Sequence, residues 1–194
     1  MKPYVFLQSL ALLTLPHLTL AQGNLLLNGG FDTSANGWTI TNTPGGFGFL
    51  SIGGNPGGWV LLDNVTPSLL SDPTASQTVG TLTPGITYVV SGDYQKGKDR
   101  GGGSVTDASF GVAIDGNVLF SAVAPGNFTW QHFSFFYTAS SANATLSISS
   151  QINGTGMSYG IDNISIQVVP EPSLLSLLGI SGLGFYWRIR RLTT

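Results

Sequence analysis

The chain has 194 residues, with seven Lys or Arg against nine Asp or Glu, a formal charge of −2 and only 8% charged residues. Clustered basic residues are what nucleic acid and anionic membrane surfaces require of a partner, so a sparse and mildly acidic charge excludes both for the body of the chain. Cysteine is absent, which excludes disulfides, thiolate metal centres and cysteine nucleophiles.

The first element is a targeting segment. Met1-Lys2 gives a positive start, Tyr4 to Leu20 is almost wholly apolar, and Thr19-Leu20-Ala21 places small residues before Gln22. That order predicts a cleaved secretory signal peptide over residues 1–21. Pro16 and His17 interrupt the apolar run and disfavour a retained anchor. Between Gln22 and Val169 the acids are eight Asp, against Lys96, Lys98 and Arg100, a balance of −5. Residues 22–169 are enough for one domain with a sizeable core.

Turn signals punctuate this body densely, at Asn28-Gly29-Gly30, Pro44-Gly45-Gly46, Asn55-Pro56-Gly57-Gly58, Asp72-Pro73, Pro84-Gly85, Gly101-Gly102-Gly103, Asp115-Gly116, Pro125-Gly126 and Asn153-Gly154. The runs between them alternate with period two, as in Ile86, Tyr88, Val90, then Phe110, Val112, Ile114, then Phe128, Trp130, His132, then Leu146, Ile148. Alternation of this length predicts strands rather than helices. Asp115-Gly116 predicts a two-residue hairpin. The expected fold class is all-β, with nine to eleven short strands in two packed antiparallel sheets, a β-sandwich of jelly-roll type. Lys96 to Asp107 is expected to be the one long flexible loop.

The segment Asn24 to Asp32, followed by Gly37-Trp38, and the segment Tyr159 to Ile166 resemble the opening and closing strands of jelly-roll carbohydrate-binding modules, grouped with galactose-binding-like domains. The resemblance implies a structural calcium near the first and last strands, with Asp32 and Asp162 at the matching positions. Asn163 stands where a second acid often follows, which lowers the charge of such a site. Parity aligns Asp162 with Ile164, Ile166 and Val168 and so expects it to face inward, where an unpaired carboxylate is costly. The alternative is that Asp162 accepts backbone hydrogen bonds at a strand end or bulge.

Sugars bind by stacking on aromatic rings beside polar hydrogen-bonding groups. The candidates are Trp59, Trp130 and Tyr94, with Phe47 and Phe49, and with Asn55, Gln95 and Gln131 as polar neighbours. Trp59, just after Gly57-Gly58, is the expected exposed platform, each ring having packing in the core as its alternative. Trp38 is assigned to the core. Catalysis finds little footing: His132 is the only histidine after the signal peptide, Glu is absent from the body, and Asp93, Asp107 and Asp115 lie in no catalytic motif. The expectation is a protein that is not an enzyme. Five Asn-x-Ser/Thr sequons, at Asn64, Asn127, Asn143, Asn153 and Asn163, follow from the richness in Asn, Ser and Thr.

The last element is Pro170-Glu171-Pro172, then the apolar run Ser173 to Trp187, then Arg188, Arg190 and Arg191. The prolines stop the preceding strand. Fifteen helical residues rise roughly 22 Å against a hydrocarbon core of about 30 Å, a short span that snorkelling arginines lengthen on the cytoplasmic side. A buried C-terminal helix is the alternative. This order resembles the PEP-CTERM sorting tail of surface and matrix proteins in biofilm-forming Gram-negative bacteria, also called an ice-binding protein C-terminal domain. The flat array of regularly spaced Thr that ice binding needs is not evident. The resemblance implies an exosortase-type processing enzyme as partner, with residues 170–194 as sorting tail and transient membrane-spanning helix. The expected function is an exported, non-enzymatic protein of the cell surface or extracellular matrix, its precursor tethered in the inner membrane, with exopolysaccharide as a ligand of the sandwich. The alternative is a structural biofilm or adhesion protein without a specific glycan ligand.

Overall fold

The computed structural model describes residues 23–41, 48–63, 73–96, 109–123, 129–151 and 158–169. The predicted signal peptide, the sorting tail and residues 97–107 of the predicted long loop lie outside them. Ten strands form among the described residues: β1 Thr39–Thr41, β2 Phe49–Leu50, β3 Trp59–Asp63, β4 Thr74–Val79, β5 Thr87–Lys96, β6 Ser109–Ile114, β7 Asn117–Ala122, β8 Gln131–Thr138, β9 Ala144–Gln151 and β10 Ser158–Val168. They make two five-stranded sheets, one in the order β1-β4-β9-β6-β7 and the other β2-β3-β10-β5-β8, with all pairings antiparallel. No helix occurs among the described residues, and none there is long and apolar enough to cross a membrane.

The period-two runs of β5, β6 and β9 explain which face each strand buries, whereas in β8 the run through Trp130 and His132 faces outward and the opposite parity, at Phe133, enters the core. Tyr88 and Val90 of β5, Phe110, Val112 and Ile114 of β6, Leu146 and Ile148 of β9, and Phe133 of β8 meet between the sheets, all at or below 3% exposure. The core is aromatic: Phe110 lies 4.6 Å from Tyr94, stacked, and 5.7 Å from Phe133. Such offset and tilted pairs add to the stabilisation from burial alone. Trp38 is buried in the same cluster, as its place in the opening motif suggests.

The Asp115-Gly116 turn closes the hairpin of β6 and β7. Both residues take positive φ, 50° and 80°, the geometry that matches the twist of the flanking strands. The Asp115 carboxylate accepts from the Thr145 amide at 2.8 Å, tying the turn to β9.

Candidate functional site

The opening segment and β10 hold each other through groups that the sequence places only once. Asn24 donates through its Nδ2 to the Ile164 carbonyl at 2.8 Å and accepts at Oδ1 from the amides of Leu26 and Ile166. Gly29 accepts from the Ile164 amide at 2.8 Å. A Cβ on Gly29 would stand 1.9 Å from the Ile164 carbonyl oxygen, so the close approach admits glycine alone. Phe31, with φ 48°, is fully buried beside Trp38.

Against this clamp β10 is irregular. Its register with β5 shifts between Asp162 and Ser165, and Asn163 takes φ 52°, the left-handed conformation that asparagine tolerates. The extra residue reverses the parity: Ile161, Ile164 and Ile166 all enter the core. Asp162 is therefore not on the face of Ile164 and Ile166 as expected from alternation. It lies on the outer face of the second sheet, fully buried beneath the segment 52–57, because a bulge exchanges the two faces of the strand that follows it.

Both Asp162 carboxylate oxygens receive backbone donors, the Asn55 amide at 2.5 Å on Oδ2 and the Asn163 amide at 2.7 Å on Oδ1. Asp93, its register partner on β5, gathers the side chains around it. Its Oδ2 accepts from Asn55 Nδ2 at 3.1 Å and Asn163 Nδ2 at 2.9 Å, and its Oδ1 accepts from His132 Nδ1 at 2.8 Å. Asn163 Nδ2 also donates to the Asn55 carbonyl. Asp32 approaches from the opening segment, where a Cβ on Gly57 would meet its Oδ1 at 2.6 Å. Burial pushes the Asp162 carboxyl up from 3.8 to about 6, against the lowering effect of the two amide hydrogen bonds, and the charges of Asp93 and Asp32 push it further in the same direction.

Next to this network runs a row of side chains across the same face. Gly160 pairs with Leu61 on β3 and with Gln95 on β5. The Trp59 ring lies over Gly160, since a Cβ there would reach its Cζ3 at 2.4 Å. Its indole N–H donates to the Ile52 carbonyl at 2.9 Å. Trp130, the residue before β8, meets Trp59 edge to face with ring centroids 5.9 Å apart.

The expected exposed platform is thereby relocated. Trp59 is only 9% exposed, because the bare surface of Gly160 lets its ring lie flat on the sheet. Tyr94 is buried in the core, stacked on Phe110, and burial raises its hydroxyl pKa. Trp130 is half-buried and, with the exposed Phe136 further along the outward parity of β8, carries the aromatic surface that remains on this face. Gln95 is buried beside Gly160, Asn55 belongs to the carboxylate network, and Phe49 packs against the core. Phe47 and the sorting residues Pro170, Glu171, Pro172, Arg188, Arg190 and Arg191 lie outside the described residues.

Asp93 and His132 draw attention in the sequence only as groups for catalysis, yet they join the two ends of the network. Their signal was positional: each sits on the polar parity of a strand whose other parity is aromatic and aliphatic, and the β5 and β8 register sets them opposite each other. Calcium is a matter of donor number as well as charge. Carboxylates are the right donor type, but among the described residues no three His, Cys, Asp or Glu side chains gather closely enough to hold a metal ion, whereas calcium takes six to eight oxygens.

Residues 168–191 match the PEP-CTERM protein-sorting motif family. No curated protein matches the chain in sequence. Among solved structures, the fold resembles TmCBM61 in complex with β-1,4-galactotriose, with TM-score 0.52 and 16% identity over 75% of this chain and 98% of that one. It also resembles the N-terminal cellulose-binding domain of a β-1,4-glucanase from Cellulomonas fimi, with TM-score 0.52 and 14% identity over 76% and 98% of the two chains. A protein from Bacteroides thetaiotaomicron gives TM-score 0.51 and 12% identity over 75% and 100%. The chain thus carries a PEP-CTERM sorting motif behind a body with the jelly-roll fold of carbohydrate-binding modules.

Proposed function

We propose that the protein is an exported, non-enzymatic component of the cell surface or extracellular matrix whose sandwich binds a glycan on the outer face of its second sheet. An exosortase-type enzyme recognises Pro170, Glu171 and Pro172 while the apolar tail and its arginines hold the precursor in the inner membrane, then releases the body toward the envelope or its exopolysaccharide. The observation that carries the glycan reading is the Trp59 and Trp130 pair, set edge to face on an outward sheet face beside a fixed cluster of carboxylates and amides. Aromatic surface next to oriented polar groups is what a sugar ring requires. In affinity electrophoresis against a panel of soluble polysaccharides, the full chain in detergent is retarded by at least one of them. Trp130→Ala abolishes that retardation and leaves the melting temperature unchanged; a panel with no retardation overturns the reading.

A second reading, a structural biofilm or adhesion protein without a glycan ligand, is supported by β7, an edge strand whose Val118 and Leu119 are exposed, with Val123 exposed just beyond it. Exposed apolar edges favour self-association. Calcium at Asp32 and Asp162 is a separate proposal, supported by the two carboxylates reaching the same turn, Asp32 against Gly57 and Asp162 against Gly54. A rise in melting temperature at millimolar calcium supports it, and an unchanged melt overturns it.

A further inference from the structure

We infer that His132, held by Asp93, is the polar group beside Trp130 that recognises the ligand, and that the ligand is an uncharged polysaccharide bound through a sugar hydroxyl. This rests on the glycan reading of the outer face and adds the chemical class and the residue that selects it.

His132 is an exposed member of the polar network, with 64% of its side chain open to solvent. Its ring is nevertheless not free to turn. Nδ1 lies 2.8 Å from Asp93 Oδ1, and Asp93 is itself fixed by two amide donors, from Asn55 and Asn163, on its other oxygen. A carboxylate only accepts, so the proton of the neutral imidazole belongs on Nδ1 and the lone pair on Nε2. An exposed acceptor of set direction, two residues from Trp130 and on the same side of the sheet, suits a sugar hydroxyl lying against the aromatic ring.

The charges of the face define the class. Asp32 and Asp93 lie close enough to Asp162 for their negative charges to act on it. Lys96 is the one Lys or Arg among the described residues, and it ends β5 on the parity of Tyr94, which faces the core. Uronate or sulfate groups brought here would meet repulsion and, among the described residues, no cationic partner. A hydroxyl donor meets neither penalty, because it donates a hydrogen bond to Nε2 while its ring stacks on Trp130.

The test uses the full chain in detergent and affinity electrophoresis with β-1,4-galactan, xylan and hydroxyethylcellulose as neutral probes, and alginate and polygalacturonate as anionic ones. The wild type is expected to be retarded by at least one neutral probe and by neither anionic probe. His132→Ala should weaken that retardation about tenfold, the loss of one well-placed hydrogen bond to the ligand. His132→Gln, whose amide oxygen still accepts, should recover part of it. Asp93→Ala, which removes the acceptor for Nδ1 and frees the ring from its set orientation, should weaken binding without moving the binding preference. Neutral-probe binding that is unchanged in His132→Ala overturns the inference and leaves the glycan reading standing. Retardation by the anionic probes instead overturns the assigned class. No retardation by any probe overturns both, and the melting temperature of each variant separates these results from misfolding.

Discussion

Asp162 is a buried carboxyl held by two backbone amides, and its energetics follow from that placement. With its carboxyl pushed up to about 6, the folded chain keeps a proton that the unfolded chain releases near the ordinary carboxylate value. The stabilisation linked to that proton is complete below about pH 4 and is lost as pH rises through about 6. Thermal melts between pH 4 and pH 8 should therefore show a fall in stability across that window. Asp162→Asn should flatten the fall, and should also lower stability at pH 5 by roughly 1–3 kcal/mol, because an amide can accept only one of the two backbone donors and turns a donor toward the other. A wild-type melt that does not change between pH 4 and pH 8 would contradict this account. The sequence supplied both alternatives for Asp162, the cation and the hydrogen-bonded bulge. It could not supply Asn55, which lies 107 residues away and reaches the carboxylate only because the segment 52–57 folds over the sheet.

At the scale of elements, strand faces were legible and their interruptions were not. Alternation in β5, β6 and β9 names the buried residues correctly because period two is a local property of extended backbone. The turn at Asp115-Gly116 was legible for the same reason, its residue types being those that positive φ demands. The bulge in β10 left no comparable mark: Asp162-Asn163 reads as an ordinary continuation of the strand until Gly29 and Asn24 are seen to dock on Ile164. Gly160 shows how such a detail decides a site. Its missing side chain seats the Trp59 ring, so Gly160→Val should force that ring off the sheet, cost about 1–3 kcal/mol from overpacking and raise the accessibility of Trp59. Quenching of tryptophan fluorescence by acrylamide reads the change, and quenching equal to wild type with an unaltered melt would contradict the packing described.

At the scale of the whole molecule, address and fold are carried by different kinds of information. The sorting motif is a linear signal, and Glu171→Gln should leave the sandwich stable while the precursor accumulates in the membrane fraction at unreduced size; wild-type processing and fractionation of that variant would contradict its role as recognition element. The sequence by itself determined the Pro-Glu-Pro tail, the all-β class and the core parity of β5, β6 and β9, because each is written in composition or in spacing along the chain. Tertiary structure alone decided that Trp59 lies flat and covered, that Tyr94 belongs to the core, that Asp162 faces outward and that Asp93 orients His132. Those outcomes depend on register between strands far apart in sequence and on one extra residue in β10, and a local pattern does not contain either quantity.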